Sequence, residues 1–80
     1  MECTVLLFGI TRDMVGSGKT SVELGEGASV AELMGSLRET YPELGQLKQL
    51  LIAVNNEYAT DSTVLSEKDE IALIPPVSGG

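Results

Sequence analysis

The sequence predicts an α+β domain in which one main helix packs across one face of a β-sheet. Short runs rich in β-forming residues stand on both sides of one well-marked helical segment, in the order strand, strand, helix, strand, short strand, strand. The first and last runs are the most apolar, which predicts that they form the central pair of the sheet. One helix covers only one face of such a sheet, so we expect the other face to meet water or a partner.

The first two strands are expected to form a hairpin. Residues 3–10 are apolar on both faces, which indicates a central strand or one with an interaction face. Residues 11–18 are a connection in which we expect one helical turn that ends at Gly16. The second strand follows at residues 19–24, and the glycines within residues 25–27 end it.

The main helix is expected to begin at Ser29. This serine is a favourable N-cap, and Glu32 follows at the spacing of a capping box. The helix should end near Tyr41, because Pro42 disfavours the α conformation in the residue before it. The apolar side chains that recur at helical spacing are Val30, Leu33, Met34 and Leu37.

The second half of the chain supplies the other strands. Residues 43–50 are open to two interpretations, a second short helix or an irregular loop. Residues 51–55 predict a third strand that ends in a turn at residues 55–56. A short edge strand at residues 58–59 and a last strand at residues 70–74 complete the predicted sheet.

Composition excludes several classes of function. The 80 residues suffice for one domain with one core. The chain has no histidine and a single cysteine, Cys3, so it cannot build a Ser-His-Asp or Cys-His arrangement or a cysteine-based metal site. We expect no metal site, and we interpret Cys3 as a strand residue without a redox role.

The charge and hydropathy of the chain restrict its partners and location. A net charge of −7, from twelve acids and five bases, disfavours nucleic-acid binding. It suits docking on a basic partner, although solubility alone explains it equally well. No apolar run reaches the ~18 residues that a spanning helix needs, and the first residues lack the positive charge of a secretory signal. We therefore expect a cytoplasmic protein with no membrane partner.

The chain changes character after the last strand. Pro75-Pro76 cannot donate to a sheet ladder and favour an extended arm. The four residues that follow reach at most ~14 Å when extended. Because glycine permits close approach of another backbone, the carboxylate of Gly80 is accessible to a second protein. The sequence thus predicts a domain at residues 1–76 and a functional tail at residues 77–80, the alternative being a frayed terminus without a task.

Three segments together resemble the small-subunit family of the molybdopterin synthases, β-grasp proteins of the ubiquitin-like sulfur-carrier group. The segments are residues 5–9 with Arg12, Asp13 and Gly16, then residues 51–55, and finally Leu65 with residues 69–80. The resemblance implies a β-grasp (ubiquitin-like) fold with a mixed sheet and a flexible C-terminal Gly-Gly tail. The chain departs from the family pattern at Asp13, Lys68 and Ser78, of which only Lys68 bears on structure, through the turn before the last strand.

The family's chemistry is centred on the last residue. The resemblance implies that a ubiquitin-activating-like adenylyltransferase adenylates Gly80 with ATP and that a sulfur donor converts the adenylate to a thiocarboxylate. Sulfur then passes to a pterin precursor inside the large subunit of the synthase, within a heterotetramer, for molybdenum cofactor biosynthesis. The chain itself is expected to be a non-catalytic subunit that binds no cofactor. The residues expected to insert with the tail are Pro75, Pro76, Val77, Ser78 and Gly79.

The resemblance also implies a docking surface. Phe8, Tyr58 and Ile74 match the family's apolar docking residues, and ordinary core packing is the alternative for each. Phe8 and Ile74 end neighbouring predicted strands and are expected to share the face away from the helix. Three other functions stay open: a sulfur carrier for thiamine synthesis or transfer-RNA thiolation, an interaction module with an inert tail, and a protein tag joined to lysines through Gly80.

Overall fold

A computed structural model describes residues 1–47 and 50–75 of the chain. Its strands are β1 (Glu2–Leu7), β2 (Lys19–Glu23), β3 (Leu51–Val54), β4 (Glu57–Tyr58) and β5 (Ile71–Ile74). Its helices are α1 (Gly9–Val15), α2 (Val30–Thr40) and a short 3₁₀ helix (Pro42–Gln46). The strands form one sheet in the order β2-β1-β5-β3-β4.

The sheet is mixed, and its centre is the predicted pair of first and last strands. β1 pairs antiparallel with β2 and parallel with β5, while β5 pairs antiparallel with β3 on its other side. Both strands are therefore hydrogen-bonded on two sides, which confirms the prediction. The parallel pairing sets Leu7 opposite Leu73, so the two strands end at the same edge of the sheet.

α2 forms as the local sequence predicts. The Ser29 hydroxyl accepts a hydrogen bond from the Glu32 amide at 3.4 Å, and the helix ends at Thr40. The predicted apolar stripe is buried and belongs to the same core as the inward side chains of β1 and β5. The largest fully buried core side chains are Leu33, Leu37, Leu44, Ile71 and Leu73.

The prediction of a strand over residues 3–10 is wrong at its end. β1 ends at Leu7, and Gly9 begins a seven-residue helix where the pattern predicted a continued strand. The reason is backbone geometry, because Gly9 has a φ of +57°, outside the β region. The predicted end of the connecting helix is confirmed. Gly16 adopts the left-handed conformation, and its amide donates to the Arg12 carbonyl at 2.8 Å.

Two connections carry their own local determinants. Asn55 and Asn56 both have positive φ, at 55° and 69°, which confirms the turn predicted between β3 and β4. The segment left open between helix and loop contains the 3₁₀ helix, which buries Leu44 in the core. In the two described ranges, neither α-helix has the length and apolar character needed to cross a membrane.

Candidate docking face and tail root

The face of the sheet away from α2 carries a row of apolar side chains. Because side chains alternate along a strand, the neighbours of the buried Ile52 and Leu73 point to this open face. The register aligns one such residue from each of four adjacent strands. That row consists of Leu6, Ala72, Ala53 and Tyr58.

A shallow groove of about 330 Å³ lies along this row. Ala53 and Ala72 are small, while Phe8 and Tyr58 are large and are 50% and 72% exposed. Small side chains between large ones create a depression that an apolar side chain of another protein can fill. The residues that line the groove are Leu6, Phe8, Ala53, Asn56, Tyr58, Glu70, Ala72 and Ile74.

The structure brings the three sequence-predicted docking residues together. Phe8, Tyr58 and Ile74 come from distant parts of the chain and line the same groove. Exposed aromatic side chains on a small domain are typical of an interaction surface. The sequence placed only Phe8 and Ile74 on the open face, and the pairing of Tyr58 with Ala53 adds the third residue to them.

Sequence reasoning missed several members of this face. Leu51 pairs with Ile74 across the strands and is 48% exposed, so it extends the apolar surface beyond the groove. Leu6, Ala53 and Ala72 also belong to this face. The apolar character of β1 on both faces was a signal for Leu6, but the positions on β3 and β5 depend on a register between strands that the sequence does not encode locally.

An acidic turn borders the groove at the start of β5. Glu70 lines the groove, and Asp69 accepts hydrogen bonds from the Ser66 amide at 2.8 Å and the Asn55 side-chain amide at 3.0 Å. The backbone hydrogen bond from Ser66 and then the bond from Asn55 lower the pKa of Asp69 below its ordinary value. The Asp69 carboxylate therefore connects the turn before β5 to the turn that contains Asn55. Over residues 1–47 and 50–75, no group of three or more His, Cys, Asp or Glu side chains could hold a metal ion.

The root of the tail lies beside the docking groove. Pro75 directly follows β5, and its ring lies against Gly9, where an added methyl group would approach the proline Cγ to 3.0 Å. Phe8, which lines the groove, immediately precedes this glycine. The remaining predicted tail residues lie outside the described part of the chain: Pro76, Val77, Ser78, Gly79 and Gly80.

Cys3 lies in the core and not in the candidate site. The residue belongs to β1 and is almost completely buried. Burial raises the pKa of the Cys3 thiol above its ordinary value of 9.0, so the thiol stays protonated at neutral pH. This environment favours a structural role for Cys3 over a redox role.

Solved structures define the class of protein. SAMP1 from Haloferax volcanii superposes with a TM-score of 0.87 and 26% identity, with all of both chains covered. A chain in the complex of subunits 1 and 2 of the molybdopterin-converting factor from Helicobacter pylori matches with a TM-score of 0.69 and 27% identity, again over both full chains. The fold is therefore that of the ubiquitin-like β-grasp sulfur carriers, as the resemblance implied.

The family follows from the sequence comparisons. Residues 5–80 match the ThiS family, and the chain belongs to this family. The molybdopterin synthase sulfur carrier subunit of Chlamydomonas reinhardtii is 36% identical over the full length of both chains. The corresponding subunit of Arabidopsis thaliana is 33% identical over all of this chain and 84% of its own. The resemblance found in three segments thus extends over the whole sequence.

Proposed function

We propose that this chain is the sulfur carrier subunit of a molybdopterin synthase and that Gly80 carries the sulfur as a thiocarboxylate. The observation that carries the proposal is the family match, which extends from residue 5 in β1 to Gly80. Relatives that are 30–39% identical over nearly the whole chain bear the name of this subunit. The docking groove and the tail root lie side by side, as a carrier that delivers its last residue into a partner requires.

The chemistry assigns activation to a partner. A carboxylate is a poor acyl donor, so a terminal oxygen of Gly80 attacks the α-phosphorus of ATP and pyrophosphate leaves. A hydrosulfide equivalent from the sulfur donor then displaces AMP, which leaves the thiocarboxylate on Gly80. The chain has no histidine to serve as a base in these steps. An adenylyltransferase of the ubiquitin-activating type is therefore proposed to supply the nucleotide site, and this chain to bind no cofactor of its own.

The large subunit of the synthase is the proposed acceptor. In the Helicobacter pylori complex, subunit 1 of the molybdopterin-converting factor is bound to subunit 2. We assign the docking contact in this chain to Phe8, Tyr58 and Ile74, with the chain inserting from Pro75 onward. Assembly into a heterotetramer and action in the cytoplasm complete the proposal.

The test is intact-mass spectrometry of the purified chain after incubation with an activating enzyme, ATP and a sulfur donor. The expected product has one oxygen replaced by sulfur at Gly80. A chain lacking Gly80, and a chain with one residue appended after it, are expected to remain folded and to transfer no sulfur. Full sulfur transfer by the extended chain would overturn the proposal.

Related pathways are separated by complementation. A sulfur carrier for thiamine synthesis or transfer-RNA thiolation uses the same terminal chemistry, so the mass test alone does not exclude it. We expect this chain to restore molybdoenzyme activity in a strain that lacks its own synthase small subunit. Restoration of thiamine synthesis or transfer-RNA thiolation alone would assign it to another pathway.

A second candidate function is protein modification. It is favoured by the match to SAMP1, which stands for small archaeal modifier protein 1. A modifier would form isopeptide bonds between Gly80 and lysines of other proteins. Covalent adducts that survive denaturation in cell extracts, and that disappear when Gly80 is deleted, would support this function.

A further inference from the structure

Gly9 lies directly against Pro75, at the root of the tail. In a parallel pair the chains leave the sheet at the same edge, and the register sets Leu7 opposite Leu73. Two residues further on, Gly9 and Pro75 therefore meet. A Cβ built on Gly9 would lie 3.0 Å from Cγ of Pro75, closer than ordinary van der Waals contact.

The turn that presents Gly9 is fixed by a buried hydroxyl. Thr11 is fully buried, its hydroxyl donates to the Phe8 carbonyl at 2.6 Å, and the same oxygen accepts from the Phe8 amide at 3.2 Å. Both backbone groups of Phe8 are thus bound to one side chain. The backbone before Gly9 has little freedom to move away, so an added methyl group at Gly9 requires the Pro75 ring to shift by a few tenths of an ångström.

We infer that Gly9 is a positioning residue for the tail, because its missing side chain forms the seat on which Pro75 rests. The inference deepens the proposed function and rests on it. Proline fixes its own φ, so the orientation of the Pro75 ring determines the direction in which the following backbone leaves the domain. The contact with Gly9 thereby sets the direction in which the tail starts.

The contact at Gly9 bears on how Gly80 reaches a partner. The five residues after Pro75 span at most ~18 Å, so the direction of the backbone at Pro75 limits the part of a docked partner that Gly80 can enter. A less favourable direction makes productive entry of the tail rarer, which raises KM. Because Phe8 lines the docking groove and precedes Gly9, one turn fixes both the docking contact and the start of the tail.

The test compares Gly9→Ala with Gly16→Ala in the full chain. Both glycines have positive φ, +57° and +85°, but a Cβ at Gly16 meets nothing within 4 Å. The two variants thus carry similar backbone strain, and only one presses on the tail root. We expect Gly9→Ala to lower kcat/KM for thiocarboxylate formation about 5–20-fold, mainly through KM, and Gly16→Ala to stay within about twofold of wild type.

A structural measurement accompanies the kinetics. In NMR spectra of the wild type, the Hα atoms of Gly9 are expected to show cross-peaks to the Pro75 ring protons. These cross-peaks should persist in Gly16→Ala and weaken or shift in Gly9→Ala, at similar melting temperatures. The NMR measurement does not depend on sulfur chemistry. Absence of a thiocarboxylate on the wild type would refute the proposed function, and the NMR spectra would still test whether Gly9 positions Pro75.

A second pair of variants keeps the inference testable if Gly9→Ala does not fold. Thr11→Val removes the hydroxyl that fixes the turn, whereas Thr11→Ser retains it. The valine variant is expected to lose the Gly9–Pro75 cross-peaks and to raise KM, and the serine variant to resemble wild type. Equal kinetics and unchanged cross-peaks in Gly9→Ala and Gly16→Ala, or in Thr11→Val and Thr11→Ser, would overturn the inference.

Discussion

Among single side chains, Asp69 connects two turns that are distant in sequence. Its carboxylate accepts from the Ser66 amide and from the Asn55 side chain, while the Asn55 side-chain oxygen accepts from the Glu70 amide at 3.0 Å. These bonds hold the β3–β4 turn against the turn before β5. Glu70 and Tyr58, one on each side of this connection, both line the docking groove.

Asp69→Asn is therefore expected to destabilise the fold in a pH-dependent way. The folded-state pKa of Asp69 lies below its ordinary value of 3.8, so its contribution is present above about pH 4 and is lost as pH falls through the folded-state pKa. Partial solvent exposure limits the loss at neutral pH to about 1 kcal/mol of unfolding free energy. Urea titrations at pH 7 and pH 3 should show the difference from wild type shrinking at the lower pH.

The control for this prediction is Glu67→Gln. It removes the same charge from the same exposed turn, and a change within about 0.5 kcal/mol is expected for a surface substitution of this kind. If the glutamine and asparagine variants lose equal stability at neutral pH, the effect comes from net charge and not from the hydrogen bonds of Asp69.

Tyr58 allows docking to be separated from folding. The side chain is 72% exposed, so Tyr58→Ala removes little packing from the domain. Because exposed aromatic residues often dominate the energy of an interface, we expect at least a tenfold weaker affinity for the large subunit, about 1.4 kcal/mol, with an unchanged melting temperature. Isothermal titration calorimetry and thermal melts measure the two quantities.

Val64→Ala is the matched control for Tyr58→Ala. Val64 is 65% exposed and apolar, but it lies outside the groove that contains Phe8 and Ile74. Its truncation should leave the affinity for the large subunit within about twofold of wild type. Tyr58 and Val64 also line a neighbouring depression, so an equal loss of affinity in both variants would show that the contact is not confined to the groove.

At the level of elements, the start of α2 depends on one hydroxyl. Ser29→Ala removes the acceptor of the Glu32 amide, and such N-cap losses cost about 0.5–2 kcal/mol. The bond is long, at 3.4 Å, so we expect a loss near 0.5 kcal/mol. Ser36→Ala makes the same chemical change inside α2, where alanine is the better helix former, and should be neutral or stabilising. Chemical denaturation measures the unfolding free energy of both variants. Equal changes in this free energy would argue against a stabilising N-cap at Ser29.

The elements that the sequence predicted correctly are those with local determinants. α2 has its cap, its apolar stripe and Pro42 within fourteen residues of chain, and the Asn55-Asn56 turn depends only on residues that tolerate positive φ. The end of β1 was predicted wrongly because Phe8 and Ile10 favour strands, whereas the turn at Gly9 is set by the Thr11 hydroxyl and by Pro75. Gly9 and Pro75 are sixty-six positions apart, so their contact cannot be predicted from a local sequence pattern.

The candidate site also has a part that the sequence predicted and a part that depends on the folded sheet. Phe8, Tyr58 and Ile74 came from resemblance, and the structure places them in one groove. Leu51, Ala53 and Ala72 complete the open face only through the strand register, which is a property of the folded sheet. Residues 76–80 lie outside the described part of the chain. The sulfur chemistry at Gly80 therefore stays a prediction, which intact-mass spectrometry tests.

Taken as a whole, the molecule has two chemically different sides. One side of the sheet is closed by α2 and contains the core, while the other is apolar at its centre and acidic beside it at Glu70. With a net charge of −7, the molecule repels copies of itself, and this opposes self-association through the exposed apolar face. A partner with a basic rim around an apolar contact satisfies both features.

The charge of the whole molecule predicts how fast that partner binds. Oppositely charged surfaces accelerate encounter at low salt, and the Debye length falls to about 10 Å at 0.1 M salt. We expect the association rate constant with the large subunit to fall about tenfold between roughly 20 and 300 mM salt, with a much smaller change in the dissociation rate constant. Stopped-flow fluorescence or surface plasmon resonance measures both constants.

Two variants of equal charge locate the source of this effect. Glu70→Gln removes a charge beside the groove, whereas Glu26→Gln removes one from the exposed loop before α2. Since screening confines each charge to about one Debye length, Glu70→Gln should slow association about two- to threefold at low salt and Glu26→Gln much less, with the two rates converging at high salt. An association rate that rises with salt would mean that the docking partner is acidic, and equal slowing by both variants would mean that net charge, and not the border of the groove, steers the encounter.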